Sequence, residues 1–188
     1  MHPVEYPSNA HFSPTLGVSH NAGYRMFKAG DPATKGIQRV AEMGKLDPLD
    51  SEVAAAKQAG HVDAIFTTGP LNALPGALTA TLEVKDTHPF VSLVTMIAPS
   101  PDWFTGAANV QLHDGHRWVD TLAVTIYGWD AGTNAGTTFA MKGAENSPHE
   151  PIRLLTTSHF QRNGEVVPVG TVTFKRLPET RMQSSSIQ

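Results

Sequence analysis

The sequence contains no cysteine among its 188 residues, which excludes disulfide bonds, zinc–thiolate centres and thiol nucleophiles. It also has no apolar run near the roughly 20 residues that a membrane helix needs, and no charged segment followed by an apolar core, as in a signal peptide. Because exported proteins lose their signal peptides, this second absence is compatible with both a cytosolic and a secreted or periplasmic protein.

Charge is scarce and carries no basic excess. Charged residues make up 16% of the chain, and 14 Lys and Arg against 17 Asp and Glu give a formal net charge of -3. A protein that binds a phosphate backbone needs clustered positive charge, so nucleic acid is a poor candidate partner. With 40% hydrophobic residues, the chain is long and apolar enough to bury a core.

The N-terminal third changes from loop to helix. Prolines and glycines are frequent over the first 30 residues or so, which favours extended or looping chain. Apolar residues then follow a helical period, with Ile37, Val40 and Ala41 on one face and Gly44 as a stop signal. A second short helix ends at Gly60, so we predict a helical hairpin over about 33–60.

From residue 78 onward apolar residues recur at every second position. The segment LTATLEVKD (78–86) alternates apolar and polar residues, as a half-buried strand does, whereas FVSLVTMIA (90–98) is almost continuously apolar and suits a central strand. Four further strand candidates follow, separated by turn residues: ANVQLHD, TLAVTIYGW, PIRLLTT and VGTVTFKRL. Short strands at this spacing predict a mainly β fold, an antiparallel β-sandwich with a helical hairpin near its N-terminus.

Two of the predicted strand-exit loops carry an aspartate beside aromatic residues. Asp102 lies in PSPDWFTG (99–106) and Asp130 in GWDAGTNAG (128–136). If the two preceding strands run in the same direction, the carboxylates meet at one edge, where they repel each other unless a cation neutralises them. Calcium accepts carboxylate, amide and carbonyl oxygens in flexible geometry, so we predict a calcium site formed by Asp102, Asp130 and Asn134. The alternative is that these residues simply form turns.

The two loops, together with HFSPTLGVSHNAGYRMFKAGDPATKGIQRVAEMG upstream, resemble the spondin domain of secreted matrix proteins over roughly residues 11–177. The resemblance implies a β-sandwich of C2-domain lineage, a calcium ion at one loop edge, a secreted location and a role in adhesion or matrix binding without catalysis. It assigns calcium ligation to Asp102 and Asp130. Asn134 stands where the family usually has a third aspartate, so weaker binding is expected.

The chain also departs from the family pattern. His113 stands where animal relatives often have a cysteine, and the further extracellular modules of animal relatives do not follow the last predicted strand. We therefore expect a free-standing domain of bacterial origin over residues 1–180, followed by a flexible tail at 181–188. Its partner would be an extracellular protein or polysaccharide, and its oligomeric state is open.

Two other functions stay open. Nine histidines, among them the pair His113 and His116 around a turn, suggest a periplasmic protein that binds a transition metal or small ligand, with His88 as a further ligand; a solvated turn is the alternative. His20 is expected to be a buried, hydrogen-bonded residue. A hydrolase has less support, because GVSHN (17–21) lacks the last glycine of a nucleophile elbow and no long insertion would form a cleft around an aspartate pair.

Overall fold

The computed structural model describes residues 6–139 and 143–178, so the predicted tail at 181–188 lies outside the described residues. The α-helices are α1 (Lys35–Met43) and α2 (Leu49–Gln58), and a 3-10 turn covers Ser158–Phe160. The strands are β1 (His11–Phe12), β2 (Leu16–His20), β3 (Val62–Thr67), β4 (Phe90–Ala98), β5 (Trp103–Gln111), β6 (Thr121–Ile126), β7 (Gly128–Asp130), β8 (Arg153–Leu154), β9 (Gln161–Arg162), β10 (Glu165–Val166) and β11 (Gly170–Lys175).

The main sheet is antiparallel and centres on β4. Over the described residues it has seven strands in the order β3-β2-β4-β5-β7-β8, with β1 paired to the end of β4. Residues 91–98 of β4 are all buried, because other elements cover both faces of the sheet. This confirms the prediction of a central strand over residues 90–98.

A second layer packs on one face of this sheet. Strands β6 and β11 pair antiparallel, and their residues alternate between exposed and half-buried positions. The half-buried side chains pack against Leu93, Ala107 and Val110 of the main sheet. They are Leu122, Val124, Ile126, Val172 and Phe174. Two antiparallel layers with a shared apolar interior confirm the predicted β-sandwich.

The helical hairpin covers the other face of the main sheet. Helix α1 begins where the Thr34 hydroxyl accepts a hydrogen bond from the Ile37 amide (3.2 Å), and it ends at Gly44, whose φ of 64° is left-handed. The Glu52 carboxylate of α2 accepts hydrogen bonds from the Gly36 amide and the Thr34 hydroxyl, both at 2.7 Å. These bonds join the two helices, and the predicted helices over about 33–60 are confirmed.

One predicted strand is wrong. Residues 78–86 have no strand structure, and Leu78 is 46% exposed, although the sequence alternates as expected for a strand. Alternation predicts only that one face is buried, whereas a strand also needs a neighbouring strand to complete its hydrogen bonds. Conversely, the sequence did not predict β2 and β3, because glycine, serine and histidine interrupt the apolar pattern of β2.

His20 is fully buried, as predicted, and both of its ring nitrogens are hydrogen-bonded. Nδ1 lies 2.8 Å from the Asn21 carbonyl, so it carries the proton, and Nε2 accepts from the Ser92 hydroxyl at 2.8 Å. The rings of Tyr24 and Phe90 pack against the imidazole. Burial, reinforced by the positive charge that His88 can carry, lowers the pKa of His20, although the bond to Asn21 partly opposes this effect.

The buried histidine predicts a loss of stability in mild acid. Its pKa in the folded protein is lower than in the unfolded chain, about 6.5, so the unfolded state binds more protons as the pH falls below that value. We expect the free energy of unfolding of the wild type, measured by urea titration relative to that of His20→Gln, to decrease as the pH falls from about 7.5 to 5. The same substitution at exposed His116 should leave the dependence unchanged, and an unchanged slope in His20→Gln would contradict the prediction.

Candidate functional site

The structure brings the two aspartate loops together. Asp102 lies in the turn between β4 and β5, and Asp130 is the last residue of β7. Strands β4 and β7 run in the same direction because both are antiparallel to β5. Trp103 pairs with Asp130 across the sheet, and the Ala131 amide donates to the Asp102 carbonyl at 3.1 Å. The predicted convergence of the loops is therefore confirmed.

Asp102 is a buried carboxylate with one oxygen satisfied and one without a partner. Its side chain is fully inaccessible, and Oδ2 accepts from the Thr133 amide (2.8 Å), the Asn134 amide (2.9 Å) and the Thr133 hydroxyl (3.3 Å). Within the described residues no group bonds to the buried Oδ1. Burial first, and then repulsion from Asp130, raise the pKa of Asp102 to about 6 against the opposing effect of these hydrogen bonds.

Asp130 is also buried, but both of its carboxylate oxygens have partners. Oδ1 accepts from the Gly132 amide at 2.7 Å, and Oδ2 pairs with Nη2 of Arg153 at 3.2 Å. Arg153 forms a second ion pair with Glu150. Because the arginine side chain is 57% exposed, solvent screens its charge, and it compensates Asp130 only in part.

Asn134 holds the shape of the second loop. Its Oδ1 accepts hydrogen bonds from the amides of Gly136 (2.9 Å) and Gly143 (2.8 Å), and its Nδ2 donates to the Gly143 carbonyl at 3.2 Å. Its backbone amide is one of the three donors to Asp102. The predicted third ligand thus lies within the loop cluster, and its side-chain oxygen is occupied by backbone donors.

The sequence reasoning missed Glu42. This residue of α1 accepts a hydrogen bond at 2.7 Å from the same Thr133 hydroxyl that contacts Asp102, and another at 3.0 Å from Gln38. A third acidic group therefore reaches the loops from the helical layer. It is separated from Asp102 by 60 positions in the chain, so no local pattern in the sequence could have indicated it.

The donor set suits a hard cation with oxygen ligands. The two aspartates supply negative charge, and a buried carboxylate oxygen without a partner costs stability unless a cation or a proton compensates it. Across residues 6–139 and 143–178, no three His, Cys, Asp or Glu side chains gather closely enough to hold a metal ion. A calcium ion here would therefore need backbone carbonyl oxygens and water as its remaining ligands.

His113 and His116 lie on an exposed turn closed by a bridge between His113 and Trp118. Within this turn, Asp114 accepts hydrogen bonds from the amides of His116 and Arg117, both at 2.9 Å, and Nδ1 of His113 accepts from the Gly115 amide at 3.2 Å. Local hydrogen bonds of this kind are typical of a polar turn.

The family model Spondin_N matches residues 1–166, which include both aspartate loops. The chain belongs to the Spondin_N family. This spondin domain is 32% identical to human spondin-2 over 191 residues, covering 95% of this chain and 58% of that protein. It is 31% identical to human spondin-1 and 30% identical to Xenopus laevis spondin-1, covering 94% and 99% of this chain.

The spondin domain spans only part of these relatives, 58% of the length of human spondin-2 and 23% of human spondin-1. Among the described residues, no helix is both long and apolar enough to cross a membrane.

Proposed function

We propose that this spondin domain is an extracellular module for matrix or adhesion contacts, in which a calcium ion stabilises the edge formed by the two aspartate loops. The observation that carries the proposal is the buried Oδ1 of Asp102, which has no partner within the described residues and lies beside a second buried carboxylate, Asp130. A divalent cation between these loops would compensate both charges.

The proposed ligands are Asp102 and Asp130, together with backbone carbonyls of the loops and water. Asn134, expected from the sequence to be a ligand, is proposed instead to position the loop, because its amide oxygen already accepts two backbone hydrogen bonds. With two charged ligands, the expected dissociation constant is about 10⁻⁴ to 10⁻³ M, the range of extracellular calcium modules.

Family membership supports a secreted location and a binding role rather than catalysis. A calcium site linking α1, β5 and β7 would rigidify one rim of the sandwich, which suits a module that acts through its surface. Binding of a transition metal by the histidines is the second candidate, supported only by the pair His113 and His116 on one exposed turn.

Calcium titration tests the proposal. In about 10 mM CaCl₂ the free energy of unfolding should increase by roughly 1.4 to 2.7 kcal/mol, as expected for a ligand at about 10 to 100 times its dissociation constant. Asp130→Asn should lose most of this gain. Thermal unfolding and isothermal titration calorimetry would measure the effect, with the protein in EDTA as reference.

Asp114→Asn provides the matched control, because Asp114 also accepts two backbone hydrogen bonds but lies on the exposed turn. It should keep the full response to calcium. Equal stability in calcium and in EDTA would contradict the calcium site, and a response to copper or zinc that calcium cannot reproduce would favour the histidine candidate.

A further inference from the structure

A cavity of about 400 Å³ opens beside the edge of the main sheet. Residues 134–137 of the second loop line it from one segment and residues 153–157, which include β8, from another. Trp103, Asp130 and Glu150 complete most of the lining. Its volume is within the range of about 300 to 1,000 Å³ that is typical of ligand-binding sites.

Two hydrogen-bonding side-chain atoms of this lining have no partner within the described residues. They are the indole Nε1 of Trp103 and the hydroxyl of Thr157, both inaccessible to solvent. Trp103 is completely buried, and its N–H can only donate, so it requires an acceptor. Leaving two such groups unsatisfied costs about 1 to 3 kcal/mol each, which a ligand with acceptor oxygens would recover when side-chain shifts on binding expose the two atoms.

The cavity also lies along the part of the sheet edge that is open. Residues 30–32 pair with the chain just before β8, where the Gly30 amide donates to the Ile152 carbonyl and the Ile152 amide donates to the Asp31 carbonyl, both at 2.9 Å. Within the described residues β8 is the last strand of the sheet, and the Leu155 amide donates inward to the Gly128 carbonyl at 2.9 Å. Because backbone groups alternate in direction along a strand, those of Leu154 and Thr156 point away from β7. The Thr156 N–H and C=O form no hydrogen bond with any described residue.

We propose that this groove binds an extended peptide segment of a protein partner, which adds a strand to the sheet at β8. The backbone of the segment would pair with Leu154 and Thr156, and its other carbonyl oxygens would accept from Trp103 and Thr157. Strand addition at an exposed sheet edge is an established mode of peptide recognition. The proposal rests on the proposed role as a binding module, but it does not require the metal.

The charge of the groove lining narrows the range of segments that could bind. Asp130 and Glu150 contribute two negative charges, and Arg153, paired with both, contributes one positive charge. Without calcium the groove therefore has one excess negative charge and favours a neutral or basic segment over an acidic one.

Selection from a phage-displayed library of random 12-residue peptides on the folded protein provides the test. Peptides selected in EDTA should be neutral or basic, and Trp103→Phe and Thr157→Val should each weaken their binding at least tenfold in calorimetry, since each removes one donor. Thr157→Val keeps the side-chain shape, whereas Trp103→Phe shortens a buried ring system, so thermal unfolding must show that this variant stays folded. Thr171→Val, the same change on the exposed face of β11, should alter binding less than twofold.

N-methylation of successive peptide amides tests the backbone pairing without altering the protein. Loss of binding at every second position indicates a strand added to β8, whereas uniform tolerance would overturn the proposal. The proposal would also be overturned if the affinity of every selected peptide were the same for the wild type and the two variants. Glycans whose affinity falls in the two variants, together with no peptide binding, would overturn it as well. Measuring peptide affinity in calcium and in EDTA, beside the stability of the protein in both, separates the two proposals. Peptide binding without any effect of calcium on stability would reject the calcium site and leave the peptide groove standing.

Discussion

Asp102→Asn is expected to stabilise the calcium-free protein and to abolish its stabilisation by calcium. In EDTA near pH 8 the wild type keeps a buried, uncompensated carboxylate beside Asp130, which the amide removes at nearly constant shape. The amide oxygen can retain the hydrogen bonds from Thr133 and Asn134 that Oδ2 now accepts. The variant should therefore be more stable than the wild type without calcium, and added calcium should stabilise the wild type but not the variant.

The size and sign of this change in the free energy of unfolding follow from the pKa of Asp102, about 6 in the folded protein against a reference value of 3.8. A group whose pKa is raised on folding stabilises the protein fully below its unfolded-state pKa, and that contribution is lost as the pH rises through the folded-state value. Two pKa units correspond to about 3 kcal/mol. Because the amide NH₂ would itself lack a partner where Oδ1 does now, we expect a net gain on the order of 1 to 3 kcal/mol.

Urea unfolding at about pH 8, in EDTA and in 10 mM CaCl₂, gives the free energies of unfolding of the wild type and of the variant in both conditions. The diagnostic result is a variant that is more stable than the wild type in EDTA and whose stability does not change with calcium, since a substitution that merely disturbs packing would destabilise the protein in EDTA as well. Asp114→Asn should show neither the gain in EDTA nor the loss of the calcium response. A variant less stable than the wild type in EDTA would mean that the carboxylate charge is compensated without a cation.

The elements that were predicted correctly have signals within one short segment. Helix α1 shows its apolar face and its terminal Gly44 in the sequence itself, and β4 shows an almost uninterrupted apolar run. Residues 78–86 show the limit of this reasoning: alternation was present, but whether a neighbouring strand exists depends on the rest of the chain.

The residues of the candidate site also fall into those that the sequence could indicate and those that it could not. Asp102 and Asp130 could be predicted because turn residues follow apolar runs at both positions, and the topology then brings them together. Glu42 and Arg153 could not, because one reaches the loops from a helix and the other from β8, each by a contact distant in sequence. The hydrogen bonds of Asn134 were also hidden, since residue type alone does not show which donors an amide oxygen accepts.

Gly132→Ala is expected to destabilise the protein by about 3 kcal/mol or more and to weaken calcium binding. Gly132 has a φ of 73°, and an added Cβ would lie 2.1 Å from the carbonyl oxygen of Glu150. The Gly132 amide donates to Asp130, and its carbonyl accepts from the Glu150 amide at 2.8 Å. Relieving the clash would move these backbone segments apart and disturb both Asp130 and its partner Arg153.

Gly164→Ala separates the clash from the backbone conformation. Gly164 has a similar φ of 83° in the turn between β9 and β10, but no heavy atom lies within 4 Å of the position that its Cβ would take. Its free energy of unfolding should decrease only by the cost of placing alanine in the left-handed region, about 1 to 2 kcal/mol, and the variant should keep the calcium response. The difference between the two variants in urea unfolding measures the packing of the Gly132 loop against Glu150, and equal losses would mean that this loop can move away at little cost.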